Sequence, residues 1–274
     1  MKRSQVILIS FAILSIVGLY SLPRVVVDND SNLPAEFLDE NREGNVIDHS
    51  TEIPTEAVPR IQMWKSELLT NNGMNNNVKA LDSLILVFQQ INKYDSAAYY
   101  AGTFADSYAE VANLRKAGDA YYEAFTFAVD QAKGQRLAAR ARAYYNKILD
   151  QGVNDLEARN NIAMTLMSSS NPMQGVMMIR QILEEDPKNE KALLNMGLLS
   201  IQSRQFDRAI ERFKSLVTHY PEHLEGNYFL AVSYFETGDL ANAKTQFEKV
   251  KTLDIDPMVT ANVDDYLQRI NRSN

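Results

Sequence analysis

Apolar residues recur at spacings of three and four along most of this chain, a period that predicts helix after helix. Between Thr55 and Thr70 the stripe is Val58, Ile61, Trp64 and Leu68, with Pro59 placed in the first turn, where proline is tolerated. Asn71 to Asn77 interrupts the pattern with residues that accept left-handed backbone, which predicts a loop. From Val78 the helices come in pairs. Leu81, Leu84 and Phe88 mark a first helix and Ala97 its partner. Leu114, Gly118 and Tyr121 mark the next, with Ala141 and Tyr145 opposite. Ile162, Ala163, Leu166, Gly175 and Pro187 form a third set, and Pro257 opens a last amphipathic helix carrying Val259, Val263, Tyr266, Leu267 and Ile270 on one side.

Residues 190 to 257 write one pattern twice. Leu193, Met196, Gly197, Ala209, Phe213 and Pro221 are followed by Leu230, Ala231, Tyr234, Gly238, Ala243 and Phe247. Gly197 to Ala231, Ala209 to Ala243 and Phe213 to Phe247 are each 34 residues apart, as are Pro187 and Pro221. Small residues belong where two helices approach closely, and a leucine there would overpack. The aromatic after them fills the gap to the next pair. Gly118 and Ala141 are 23 apart where the repeat needs 12, so the second pair carries 11 extra residues. These are expected to lengthen its first helix and the turn near Asp130 to Gln135.

A 34-residue period with small residues at positions 8 and 20 and an aromatic at 24 resembles the tetratricopeptide repeat (TPR). The resemblance covers about residues 78 to 257. It implies an all-α fold, a right-handed α-solenoid of about five TPR helix pairs closed by a capping helix over 258–274. Such repeats bury their faces only by stacking on neighbours.

The N-terminus adds a second feature. Lys2 and Arg3 precede an uncharged run from Ser4 to Pro23, and Val6 to Leu22 is 17 residues. That is about 25 Å of helix, at the short end for a bilayer. One N-terminal transmembrane helix, a signal anchor within residues 1–27, is expected, with membrane contact through residues 6–22. The alternative is cleavage as a signal peptide: Ser21 suits such a site, whereas Leu19 and Pro23 do not. Lys2 and Arg3 stay inside. This predicts a single-pass protein of the cytoplasmic membrane with its C-terminal domain on the exported, periplasmic side, or a secreted or periplasmic protein after cleavage. Residues 28–54 then form an acidic disordered linker, with Asp28, Asp30, Glu36, Asp39, Glu40, Glu43 and Asp48 against Arg42. Residues 55–77 hold the leading helix and the Asn-rich loop. The layout also resembles N-terminally anchored TPR proteins of bacteria.

Composition removes most chemistry. A net charge of −7 without a basic run argues against nucleic acid. The chain has no Cys and three His, so no metal site, cofactor or catalytic residue is expected. Asp28 to Asn32 imitates a calcium loop, but Leu33 stands where such a loop needs Gly. Six of the ten Met lie between 164 and 196 and read as core filling. The Ala-Tyr-Tyr triplets at 98–100, 120–122 and 143–145 read as packing aromatics whose hydroxyls reach the rim.

The TPR resemblance implies partner binding along the first helix of each pair, at positions 5, 9 and 12. Here these are Asn160, Met164 and Met167, then Leu194, Leu198 and Ile201, then Tyr228, Val232 and Phe235. The strip is apolar and fits an apolar protein or peptide segment. It lacks the paired basic and Asn residues that grip a C-terminal carboxylate. The expected function is a non-catalytic, membrane-anchored scaffold for protein–protein interaction in the cell envelope. The alternative is an assembly or processing factor that binds exported proteins transiently.

Overall fold

The computed structural model describes residues 53–70, 74–253 and 256–273. The expected membrane segment and nearly all of the acidic linker lie outside the described residues. Among the described residues, twelve helices form, no strand forms, and no helix is long and apolar enough to cross a membrane. The helices fall into two compact units, residues 53–175 and 176–273 of the described chain.

The first unit begins with α1 (Val58–Leu69) and α2 (Met74–Gln90). Ile61 of α1 is buried against Leu84, Val87 and Phe88 of α2, with Trp64 and Leu68 alongside. The apolar stripe therefore does what its spacing predicts. The Asn-rich stretch does not: α2 already runs through Met74–Asn77, and Asn77 is buried. The amphipathic pattern downstream extends the helix backwards over residues with weak helix propensity. Next come α3 (Tyr94–Ser107), α4 (Val111–Thr126), α5 (Gln131–Leu149), α6 (Leu156–Met167) and the start of α7 (Pro172–Glu185).

The 11 extra residues go mainly into helix rather than into the turn near Asp130 to Gln135. Gly118 of α4 lies against the Tyr145 ring of α5, where an added methyl would sit 2.7 Å from it. Measured from that contact, α4 continues three residues further than the regular repeat and α5 starts seven residues earlier, leaving one residue for the loop. Asp130 caps α5, accepting from the Lys133 backbone N–H at 2.6 Å, so the turn closes before Gln131. The extension is anchored to α3. The Phe127 ring stacks on Tyr94 at 4.0 Å, and Lys133 pairs with Asp95 at 2.9 Å.

The second unit holds the rest of α7, then α8 (Glu190–Gln202), α9 (Phe206–His219), α10 (Leu224–Glu236), α11 (Leu240–Leu253) and α12 (Pro257–Ser273). One core joins them: Phe213, Leu216, Phe229, Ala231, Ala243, Phe247 and Val263 are all nearly or fully inaccessible. A methyl on Gly197 would lie 2.5 Å from the Phe213 ring. The small residue and the aromatic of the pattern thus meet face to face. The last helix buries Val259, Val263 and Ile270 as its stripe predicts. Asp264 reaches back to Lys251 at 2.7 Å.

The turn ending α10 shows why Gly238 is where it is. Gly238 has φ +79°, and the Asp239 N–H donates to the Tyr234 carbonyl. Thirty-four residues earlier, Arg204 holds φ +55° in the same hydrogen-bond pattern, with the Gln205 N–H on the Ser200 carbonyl. This is the left-handed helix ending that glycine favours. Nothing lies within 4 Å of an added Gly238 methyl, so only backbone strain opposes a side chain there. Gly238→Ala is expected to cost about 1–2 kcal/mol. Arg204→Gly should be the milder change. Urea unfolding of both variants checks the ordering.

Candidate protein-binding surface

In the second unit, α8 and α10 carry six of the residues expected to line a groove. Leu194, Leu198, Val232 and Phe235 are half-buried, so each keeps some surface for a partner. Ile201 and Tyr228 are not available in the same way. Ile201 is 9% exposed and Tyr228 only 1%. Tyr228 meets Phe229, Phe247 and Tyr266 edge-on at ring distances of 5.3, 6.1 and 6.5 Å. Its placement in the groove is therefore corrected: the capping helix α12 brings Tyr266 over it, and it serves the core. Burial first, and then the neighbouring Tyr266, raise the Tyr228 phenol pKa above its usual value. Phe235 is partly covered from the same side, with the Tyr266 ring at 5.2 Å and the Arg269 guanidinium at 4.6 Å. What remains open and apolar is chiefly Leu194, Leu198 and Val232.

In the first unit, Asn160 is also corrected to a packing residue, 2% exposed, within reach of the Asn161 side chain. Met164 and Met167 are half-buried. Met167 folds toward Gly175, whose missing side chain leaves room for its methyl group. Methionine as core filler fits Met196, which is buried, but not Met173 and Met177, which are more than half exposed.

The first unit also has a surface that the apolar reading missed. A cavity of about 330 Å³ opens between α2 and α4, with Ile85 and Gln89 on one wall and Ala112, Arg115, Lys116, Asp119, Ala120 and Glu123 on the other. Arg115 pairs with Asp155, which is itself nearly buried and caps α6 by accepting from the Ala158 N–H at 3.0 Å. Lys116 pairs with Asp82, and Gln89 donates to Glu123. Asp119 is held from behind: the Tyr145 hydroxyl donates to it at 2.7 Å and accepts from the Asn161 amide at 2.9 Å. Burial first, and then the Asp119 charge, push the Tyr145 phenol well up, so it stays a protonated donor. Arg115 and Asp119 stand at positions 5 and 9 counted from Gly118, the same positions that gave the apolar strip. The signal was present, one repeat upstream.

Two further side chains have local roles. His223 caps α10, its Nδ1 accepting from the Gly226 N–H at 3.0 Å while Nε2 lies 3.3 Å from Glu190. The Tyr144 hydroxyl donates to Asp106 at 3.0 Å. Among the described residues no group of three or more His, Asp or Glu side chains converges on a point where a metal ion could sit.

Sequence models of the family described as Tetratricopeptide repeat match residues 191–223 and 224–255. These are the two copies whose spacing is strictly 34. No curated protein matches the chain. Among solved structures, the chain is similar to a tetratricopeptide repeat protein from Parabacteroides merdae ATCC 43184, at 19% identity and a TM-score of 0.55, over 80% of each chain. It is more distantly similar to YrrB, described as a TPR protein with an unusual peptide-binding site, at 13% identity and a TM-score of 0.43, covering 76% of this chain and 97% of that one. MamA from Desulfovibrio magneticus RS-1 gives 18% identity and a TM-score of 0.46, over 64% and 93%. Two matched repeats, the small-to-aromatic contacts that recur in α4/α5 and α8/α9, and the fold of the first of these structures agree: residues 191–255 are tetratricopeptide repeats, within an all-helical fold of the tetratricopeptide-repeat type.

Proposed function

We propose that this protein is a membrane-tethered scaffold that holds protein segments at the cell envelope. TPR proteins mediate protein–protein interaction, and their fold is typically non-catalytic. The observation that carries the reading is the set of half-buried apolar side chains, Leu194, Leu198 and Val232, on the first helices of adjacent repeats. Apolar surface left open in this way favours contact with an apolar segment. Residues 6–22 anchor the chain, and the acidic stretch after them sets the reach of the repeats. Tethering raises local concentration without adding contacts.

Capture of partners from detergent extracts tests this. Leu198→Glu with Val232→Glu should reduce capture at least about tenfold, since each change puts a charge into an apolar contact. Helical circular dichroism should be preserved, because both side chains are already partly open. Capture equal to that of the unmodified chain would rule out this surface. Stoichiometric partners indicate a lasting scaffold, and many substoichiometric ones a transient assembly factor. Protease added to spheroplasts should digest the repeats if they face outward; their full protection would refute that topology.

A further inference from the structure

The outer face of α5 carries a stripe of positive charge that the binding surface does not use. Lys133, Arg136, Arg140 and Lys147 fall within about 60° of one another at 100° per residue. No acidic residue occurs in α5. Lys133 is paired with Asp95, and Lys147 with Asp106, both acids from α3. Arg136 and Arg140 are exposed, and among the described residues neither has a carboxylate partner. Four cations against the two facing acids, Asp95 and Asp106, leave a net charge of +2 on this face. Arg140 lies beside Tyr121 and Tyr144, whose hydroxyls it influences electrostatically.

The same chain carries a counterpart. Residues 28–48 hold seven acids and a single base, Arg42. They lead through a few residues into α1, which packs on α2 in the same unit as α5. Reach is sufficient. From Ile53 back to Asp39 the chain spans up to about 45 Å when extended. Successive packed helices stand about 8–10 Å apart, so four steps put α5 at most roughly 40 Å from α1. We infer that the acidic segment 28–48 docks on the Arg136–Arg140 stripe of α5, folding the tether back along the outside of the first unit. Opposite charge selects this occupant, and attachment in cis gives it a high effective concentration. The contact uses a second helix of a repeat rather than the first helices that carry the apolar surface, and only its consequence for reach rests on the proposed anchorage. It would set how far the repeats extend from the point of anchorage.

The absence of cysteine makes the test direct. The full chain, in neutral detergent, is given Asn32→Cys and Ala139→Cys and labelled with a donor–acceptor dye pair. At 0.01 M salt, where the screening length is about 30 Å, transfer efficiency should be about twofold higher than in the same chain carrying Arg136→Gln and Arg140→Gln. At 1 M salt, where it is about 3 Å, the two should become equal. Circular dichroism should show the same helix content throughout, since both arginines are exposed. Equal efficiencies at low salt, with the fold intact, overturn the proposal. So does stripe-dependent binding of the chain to phosphatidylglycerol vesicles without any difference in transfer, which would assign the arginines to lipid headgroups instead.

Discussion

Replacing Phe213 by alanine is expected to destabilise the protein by about 3–5 kcal/mol. The ring has no exposure, lies against the bare Cα of Gly197 and stacks on Phe229 at 5.9 Å. It therefore touches its own repeat and the next one together, and no neighbour can collapse into its space without parting α8 from α9. A melting-temperature fall on the order of 10 °C should follow for a chain of this size. Phe206 makes a useful comparison, since it is only partly buried at the edge of the same core. Its truncation should cost clearly less. Equal losses for the two variants would mean that the small-to-aromatic contact is not what binds one repeat to the next.

Tyr145 should show a two-part effect. Tyr145→Ala removes a fully buried ring and is expected to cost about 3–5 kcal/mol. Tyr145→Phe keeps the ring against Gly118 but takes the hydroxyl from between Asp119 and Asn161. The Asn161 amide, almost buried, then loses its acceptor, and about 1–3 kcal/mol should be lost. Urea unfolding of the two variants separates packing from hydrogen bonding. A Tyr145→Phe variant as stable as the unmodified chain would show that water replaces the hydroxyl without loss. The same variant removes one of the contacts that hold Asp119 at the cavity wall.

Much of this architecture is legible before any coordinates. The strict 34-residue spacing and the apolar stripes of α1 and α12 depend on local periodicity, which sequence records directly. What was misplaced depends on contacts distant in sequence. Tyr228 and Phe235 occupy lining positions by count, yet Tyr266 of the capping helix lies over both. A repeat rule written for the middle of an array does not include its end. The start of α2 was lost because Met74–Asn77 has loop-like composition, and only packing downstream makes it helical. The division of the inserted residues among α4, its turn and α5 was hidden because a difference of 23 residues fixes their number but not their placement. The charged cavity was overlooked for a similar reason. Arg115 and Asp119 sit at the right positions, but the ion pair to Asp155 and the hydrogen bond from Tyr145 that shape this wall join residues distant in sequence.

The inserted residues also bear on how the protein folds. In a nearest-neighbour description of repeat folding, each repeat has an intrinsic stability and each junction a coupling energy. The extra turns of α4 and α5 leave the Gly118–Tyr145 contact inside the second repeat unchanged, so they add little to its intrinsic term. Their contacts run to the preceding repeat instead, through Phe127 on Tyr94 and Lys133 on Asp95. They therefore strengthen a junction. The first two repeats become the most cooperative pair of the first unit, melting together where otherwise one could fray from the other.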